Sequence, residues 1–321
     1  MKIYSRAFLL VIGILILAEI SVRLFWARNM SGRFEYGYHP TAGFVEDEDS
    51  VVKLVRAGGR RFRPQSFRMP KPEKTFRIFV IGDSVPRGPS LEEAYPYLLA
   101  ENLKKKNIAA EALNLAVAGY GARRSQIVLK QALRYQPDLV ILHLNGSNEY
   151  EDEREYRRAK EFTSWHPKNW LMKSLLLRRL YEIKTEQLFW KLLPQDIRSQ
   201  TGVSDADAEI ASSKDEKKSH EWKKRVEEVS LASVRLAREA KVPILVLAQA
   251  VAESSSGLND QGLDALLVKL EKEGAMTLSM KEIFQLQFSK DDFSDGSHLR
   301  PSGHQKIAAA MTDKICQSIF P

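Results

Sequence analysis

The chain is poor in cysteine: Cys316 is the single one in 321 residues. This excludes an internal disulfide and any zinc site built on several cysteines. One cysteine is compatible with an oxidising or a reducing compartment, so location has to be read elsewhere. No zinc-finger, RRM-type or basic-zipper pattern accompanies the positive charge, which argues against nucleic-acid binding. There is no internal repeat, no long low-complexity tract, and no acidic or histidine cluster at metal-ligand spacing, so neither a metal nor a cofactor is expected. No small-x-small cleavage site follows the N-terminal apolar run, and no cysteine is placed for lipid attachment.

The composition, 44% hydrophobic and 28% charged, supports one substantial core with room for an insertion. The net charge of +8 is uneven, because Lys53–Arg77 holds nine Lys/Arg against one Glu, an excess as large as that of the whole chain. A solvated linker explains this block most simply, and contact with anionic headgroups or acidic polymers is the functional alternative.

Ala7–Trp26 reads AFLLVIGILILAEISVRLFW, twenty residues and the length that spans a bilayer. Glu19 and Arg23 lie four apart on one helix face, where they can pair, and near the end of the run, where they can snorkel. With Lys2 and Arg6 ahead of it, the segment predicts an uncleaved membrane anchor over residues 1–28. A removed signal peptide and a buried helix are the alternatives. Arg23, Arg28 and Arg33 on the far side weaken the positive-inside signal and leave orientation open.

Residues 29–74 predict a basic linker with local structure, since Pro64, Pro70 and Pro72 disfavour long helices. From Thr75 the pattern changes to short apolar runs alternating with amphipathic stretches. Strands are expected at Phe76–Ile81, Ala112–Val117, Asp138–Leu144, Pro243–Ala248 and Ala275–Leu278. Helices are expected at Glu92–Lys106, Arg123–Tyr135, Trp222–Ala240, Leu258–Glu271 and Ser302–Ile319. Such alternation argues for a parallel sheet covered on both faces, with ligands bound beyond the carboxyl ends of its strands. Tyr150–His220 breaks the alternation, with eight aromatics including Trp165, Trp170 and Trp190, and a helical pattern over 169–193. It reads equally as a cap over the site or as an extension of the core.

Three segments then carry chemistry. Gly82-Asp83-Ser84 follows the first strand, Gly146-Ser147-Asn148 follows the third, and Asp295-Gly296-Ser297-His298 precedes the last helix. They supply a nucleophilic hydroxyl, an amide donor and a His/Asp pair. A serine hydroxyl needs an adjacent base, which His298 can provide, and Asp295 lies three residues earlier, within reach of the other imidazole nitrogen. The backbone N–H of Ser84 can point at a developing oxyanion. Asp83 is expected to bond the turn, His143 to be a satisfied core histidine, and His304 to be structural or superficial. The Glu151–Glu155 cluster is expected to be a solvated helix face.

These segments resemble the SGNH (GDSL-type) hydrolase superfamily over Thr75 to Ile319, with Tyr150–His220 as an insertion. The matching blocks are Ile81-Gly82-Asp83-Ser84-Val85, with Val where Leu is common, Asn114–Gly119, Gly146-Ser147-Asn148-Glu149, with Glu where Asp is commoner, and Asp295–His298. The resemblance implies a three-layer αβα sandwich on a five-stranded parallel sheet. It also implies a Ser84–His298–Asp295 triad and an oxyanion hole from Ser84, Gly119 and Asn148. The implied activity is cleavage or transfer of an ester-linked acyl group. With the anchor at residues 7–26, the implied setting is extracytoplasmic, on acetylated envelope polysaccharide, with lipid or lysophospholipid esters as the runner-up. A non-catalytic subunit of an envelope assembly system is the rival from another class.

Overall fold

The structure is a computed structural model that describes residues 2–26, 43–54, 62–149, 152, 174, 176–177 and 216–320. Helix α1 (Lys2–Ser21) continues into a π-turn at Val22–Trp26. Residues 6–24 are long and apolar enough to cross a membrane, and none of this stretch is buried in the protein. Arg23 Nε donates to Glu19 Oε1 at 2.7 Å, the pairing expected from their spacing.

Within residues 29–74, where a linker with local structure is expected, three short strands form an antiparallel sheet: β1 (Phe44–Glu46), β2 (Val51–Leu54) and β3 (Gln65–Arg68). Its inward residues Phe44, Val52, Leu54 and Phe67, with Phe62, are fully buried against Phe79 and Tyr135 of the main body. These strands are therefore part of the packed protein and not a solvated tether. Three members of the basic block are also spent internally. Arg63 donates to the carbonyls of Arg87, Gly88 and Pro89, Lys71 pairs with Asp138, and Arg77 is buried against Glu111.

The main sheet has the order β10-β7-β6-β4-β5 and is parallel throughout. Its strands are β4 (Phe76–Ile81), β5 (Ala110–Asn114), β6 (Leu139–Leu144), β7 (Ile244–Ala248) and β10 (Met276–Ser279). Between β7 and β10 a small hairpin pairs β8 (Val251–Ala252) with β9 (Leu258–Asn259). Alternate residues of the central strands face opposite sides, so continuous apolar runs serve two cores. Phe79, Ile81, Val140, Leu142 and Val246 enter one core, and Ile78, Val80, Leu139, Ile141, Leu245 and Leu247 the other. The first is covered by α4 (Ala122–Ala132), α5 (Glu216–Glu239) and α6 (Leu263–Lys272). The second is covered by α3 (Tyr95–Lys105), α7 (Met280–Ile283) and α8 (Pro301–Ile319). This is the three-layer αβα arrangement expected.

Several boundaries differ from expectation: the helix expected from Trp222 begins at Glu216, the one expected from Glu92 begins at Tyr95, and two further shifts have a visible cause. The second strand ends at Asn114, because the Asn114 side chain accepts from Ala116 N and bends the chain, although Leu115 N and Val117 N still bond Val80 and Gly82 carbonyls. The helix expected from Leu258 starts at Leu263. Leu258 and Asn259 are drawn into the hairpin, and the Asp260 carboxylate then holds the amides of Gly262 and Asp264.

Candidate active site

The chain passes from β4 to β5 on one side and returns to β6 on the other, which makes the carboxyl ends of β4 and β6 the topological switch point. Ser84 follows β4 and opens the short helix α2 (Ser84–Arg87), and Asn148 lies in the 3₁₀ turn Gly146–Asn148 after β6. Gly82 has no room for a side chain, since a Cβ there would stand 2.7 Å from Pro86 and 2.8 Å from His143. Val117 N donates to Gly82 O at 3.0 Å and brings the loop bearing Gly119 beside the Ser84 turn. Gly119 itself has φ of 77°, a left-handed conformation that favours glycine.

Ser84 Oγ lies 2.8 Å from His298 Nε2, and His298 Nδ1 lies 2.8 Å from Asp295 Oδ2. A carboxylate only accepts, so Nδ1 carries the hydrogen and Nε2 is left to accept from the serine hydroxyl. Asp295 Oδ1 also accepts from the amides of Ser297 and His298, both at 2.8 Å. Partial burial would push the Asp295 carboxyl up, but those amides and the imidazole hold it below the ordinary carboxylate range. The side chains of His298 and Asp295 are 44% and 55% exposed, so this edge of the site faces outward among the described residues.

Asp83 is fully buried and joins the two strand ends. One carboxylate oxygen caps α2 by accepting from Val85 N at 2.9 Å, and the other accepts from the side-chain amides of both Asn145 and Asn148. An amide nitrogen carries two hydrogens, so Asn148 can give one to Asp83 and keep the other for a ligand. Asp83 thus bonds the turn, as expected of it.

Behind Ser84, His298 and Asp295 runs a buried polar chain. Gln249 Nε2 donates to the carbonyls of Ala250 and Ser297, which fixes its oxygen toward His143 Nε2 at 2.6 Å. His143 Nε2 therefore carries the hydrogen, and Nδ1 accepts from Tyr95 OH at 3.1 Å. Burial holds the His143 imidazole below its usual range. His304, also buried, accepts from Tyr95 N at 3.3 Å and is pushed down to about 4, first by burial and then by the neighbouring His143. His143 is the satisfied core histidine expected, and His304 is structural.

The acidic cluster Glu151–Glu155 does not meet its expectation at the one position described. Asp152 is fully buried and pairs with the equally buried Arg124. A charge cluster without metal-ligand spacing reads as a solvated face, and an arginine 28 residues away leaves no local signal. Sequence reasoning also missed Asn145 and Gln249, and named Glu149 in the third block without giving it a role. Asn145 and Glu149 directly flank the Gly146–Asn148 turn, which is a usable signal, whereas Gln249 has none beyond following a strand. Trp165, Trp170, Trp190 and nearly all of the Tyr150–His220 insertion lie outside the described residues. Among the described residues there is no group of His, Cys, Asp or Glu that would hold a metal ion.

No family model and no curated protein matches the chain. Solved structures do. An acetyl xylan esterase, AlAXEase, is 15% identical, with 76% of this chain and 99% of that one covered and a TM-score of 0.44. The esterase EstA from Pseudoalteromonas sp. is 13% identical, with 77% and 100% covered and a TM-score of 0.46. A GDSL-like lipase from Bacteroides thetaiotaomicron is 9% identical, with 76% and 89% covered and a TM-score of 0.42. Likeness at this level assigns no substrate, and the chemistry rests on the atoms of this site.

Proposed function

We propose that this chain is a membrane-anchored serine ester hydrolase. The observation that carries the reading is the run of contacts from Ser84 Oγ to His298 Nε2 and from His298 Nδ1 to Asp295 Oδ2, each 2.8 Å. His298 takes the proton as Ser84 Oγ attacks the ester carbonyl, and the imidazolium that forms is balanced by Asp295. The oxyanion of the tetrahedral intermediate is received by the amides of Ser84 and Gly119 and by the Asn148 side chain. Collapse breaks the ester C–O bond, and His298 returns the proton to the leaving alcohol. Water, activated by the same imidazole, then frees the acyl group from Ser84. An acceptor alcohol in place of water would make the same site an acyltransferase.

For the substrate, a small O-acyl group on an envelope polysaccharide is the first reading. The half-exposed His298 and Asp295 leave the triad open to a group carried on a bulky chain. A lipid ester is the second, and a different contact favours it: Glu19 of the apolar helix accepts from Ser174 Oγ at 2.6 Å and Leu176 N at 2.9 Å, tying the segment beyond Asn148 to the helix that would enter the bilayer. The anchor would hold the catalytic domain on the extracytoplasmic side.

The test is covalent labelling with a fluorophosphonate probe, followed by hydrolysis of an acetylated oligosaccharide against a lysophospholipid. Labelling of the wild type and none of Ser84→Ala is expected. An unlabelled wild type with folded spectra would leave a non-catalytic role, and the substrate that is turned over decides between the two esters.

A further inference from the structure

The two outer donors of the proposed oxyanion hole sit on different loops, Gly119 after β5 and Asn148 after β6. Two buried side-chain struts cross the gap between them. Glu149 directly follows Asn148 and is fully buried, and its Oε1 accepts from Ala122 N at 2.7 Å, the first amide of α4. Its backbone thus moves with Asn148, while its carboxyl moves with the helix that begins three residues after Gly119. The second strut runs the other way. Arg124 of α4 donates through Nη2 to the carbonyl of Gly119 itself and through Nε to Asp152, and Asp152 accepts in turn from Arg123 N at 3.0 Å.

Packing leaves this arrangement little slack. The Arg124 guanidinium lies 4.8 Å from the centre of the Tyr120 ring. A Cβ on Gly121 would stand 2.7 Å from Glu149 Oε1 and 2.8 Å from Asp152 Cβ. Stability alone does not account for the strut: Glu149 Oε2 is buried with no hydrogen-bond partner among the described residues, a group that costs free energy to bury. Two struts at separate points restrain rotation of the Gly119 loop as well as its distance from Asn148.

We propose that Glu149 and the Arg124–Asp152 pair are positioning residues that fix the Gly119 N–H against the Asn148 amide, and so set the width of the oxyanion hole. This rests on the hydrolase reading above, because it is the oxyanion that the two donors must meet together. Misplacing a catalytic group by about 1 Å costs about a hundredfold in rate. The loss should fall on kcat and not on KM, since the donors are needed most in the transition state.

The experiment uses the full-length protein in detergent with p-nitrophenyl acetate, and an alkylboronic acid as a tetrahedral analogue. Arg124→Lys keeps a positive charge for Asp152 but loses the fork that reaches Gly119 O. Glu149→Met keeps the length of the side chain and loses the acceptor. Both are expected to lower kcat about ten- to hundredfold, to change KM less than about threefold, and to weaken the boronate in step with kcat. Glu149→Gln retains an acceptor for Ala122 N and should stay within about threefold of wild type. If Glu149→Met fails to fold, Arg124→Lys decides by itself. Wild-type kcat and boronate affinity in a folded Arg124→Lys, or a loss that merely follows the fraction unfolded, overturns the proposal. A wild type that hydrolyses nothing and takes no fluorophosphonate overturns the hydrolase reading and this proposal with it, so the two failures look different.

Discussion

Asp83 is the residue on which the Ser84 turn and the Asn148 amide both depend. In Asp83→Asn the oxygen that caps Val85 N can be kept, but an NH₂ group then faces the amide nitrogens of Asn145 and Asn148, donor against donors. A fall in kcat of about a hundredfold is expected, with a loss of about 1–3 kcal/mol in stability. Kinetics and urea unfolding check it, and a variant within threefold of wild type on both would mean that Asn148 is held by something else. His304 makes a prediction of opposite kind, touching stability and not rate. Its folded imidazole is pushed down to about 4 from the ordinary 6.5, so the unfolded chain takes up the proton first. Stability is then complete above 6.5 and is lost as pH falls toward 4. Glu149 acts in the reverse sense. Burial, and then the charge of Asp152, push its carboxyl up to about 8, so its term is lost as pH rises from 4.5 toward 8. His304→Gln should therefore lose less melting temperature than wild type between pH 6.5 and 4, while Glu149→Gln should lose less between pH 5 and 8. Parallel curves for wild type and variant would mean that the histidine, or the glutamate, does not titrate differently on folding.

At the scale of elements, the strands of the main sheet were legible because a parallel strand buried on both faces reads as an unbroken apolar run. Ser84 and Asn148 were legible because each stands in a turn directly beyond such a strand, and His298 because its Asp-x-x-His segment stands directly before the last helix. The β1–β3 sheet was not. Its strands are three or four residues long, and its buried phenylalanines lie among arginines and prolines, so no period emerges. What holds it is long-range. Gln65 makes a two-way bond with the backbone of Asn114 at 2.9 Å each way, acting as a further rung on edge strand β5. Arg77, fully buried, donates to Glu111 Oε1 at 2.6 Å, Arg68 O at 2.8 Å and Tyr135 O at 2.9 Å, and lies 4.7 Å from the centre of the Phe67 ring. One side chain thus joins β3, β4, β5 and the end of the α4 segment. Arg77→Ala would leave three acceptors without their donor and is expected to cost about 3–5 kcal/mol. A shift in the urea midpoint with unchanged slope measures it, and a loss below 1 kcal/mol would show that water replaces the guanidinium freely.

At the scale of the whole molecule, the apolar helix and the packed body from Phe44 onward differ in how they are buried, and the chain can be cut between them. In α1 the side chains of Phe8, Leu9 and Leu10 are each about two-thirds exposed, a surface that water does not tolerate and a bilayer does. Nineteen helical residues, 6–24, rise about 28 Å, close to the thickness of a hydrocarbon core. By contrast, Phe44, Phe62 and Phe67 pack with Phe79 and Tyr135, with ring centres 4.8–6.4 Å apart, inside the same core as the sheet that carries Ser84. Removing residues 1–28 should therefore give a protein that is monodisperse without detergent and hydrolyses p-nitrophenyl acetate within about threefold of the full chain. Removing residues 1–74 should not, because it strips an aromatic layer from the core and leaves Arg77 without the Arg68 carbonyl. Each buried phenylalanine lost costs roughly 1.5–3 kcal/mol, and three of them approach the whole stability of an ordinary domain. Gel filtration and circular dichroism of the two truncations, set beside the detergent-purified full chain, give the answer. An aggregated or inactive shorter truncation would place α1 inside the fold, through its Glu19 contacts with Ser174 and Leu176. A longer truncation that melts like the full chain would make the β1–β3 sheet an ornament on a core complete without it.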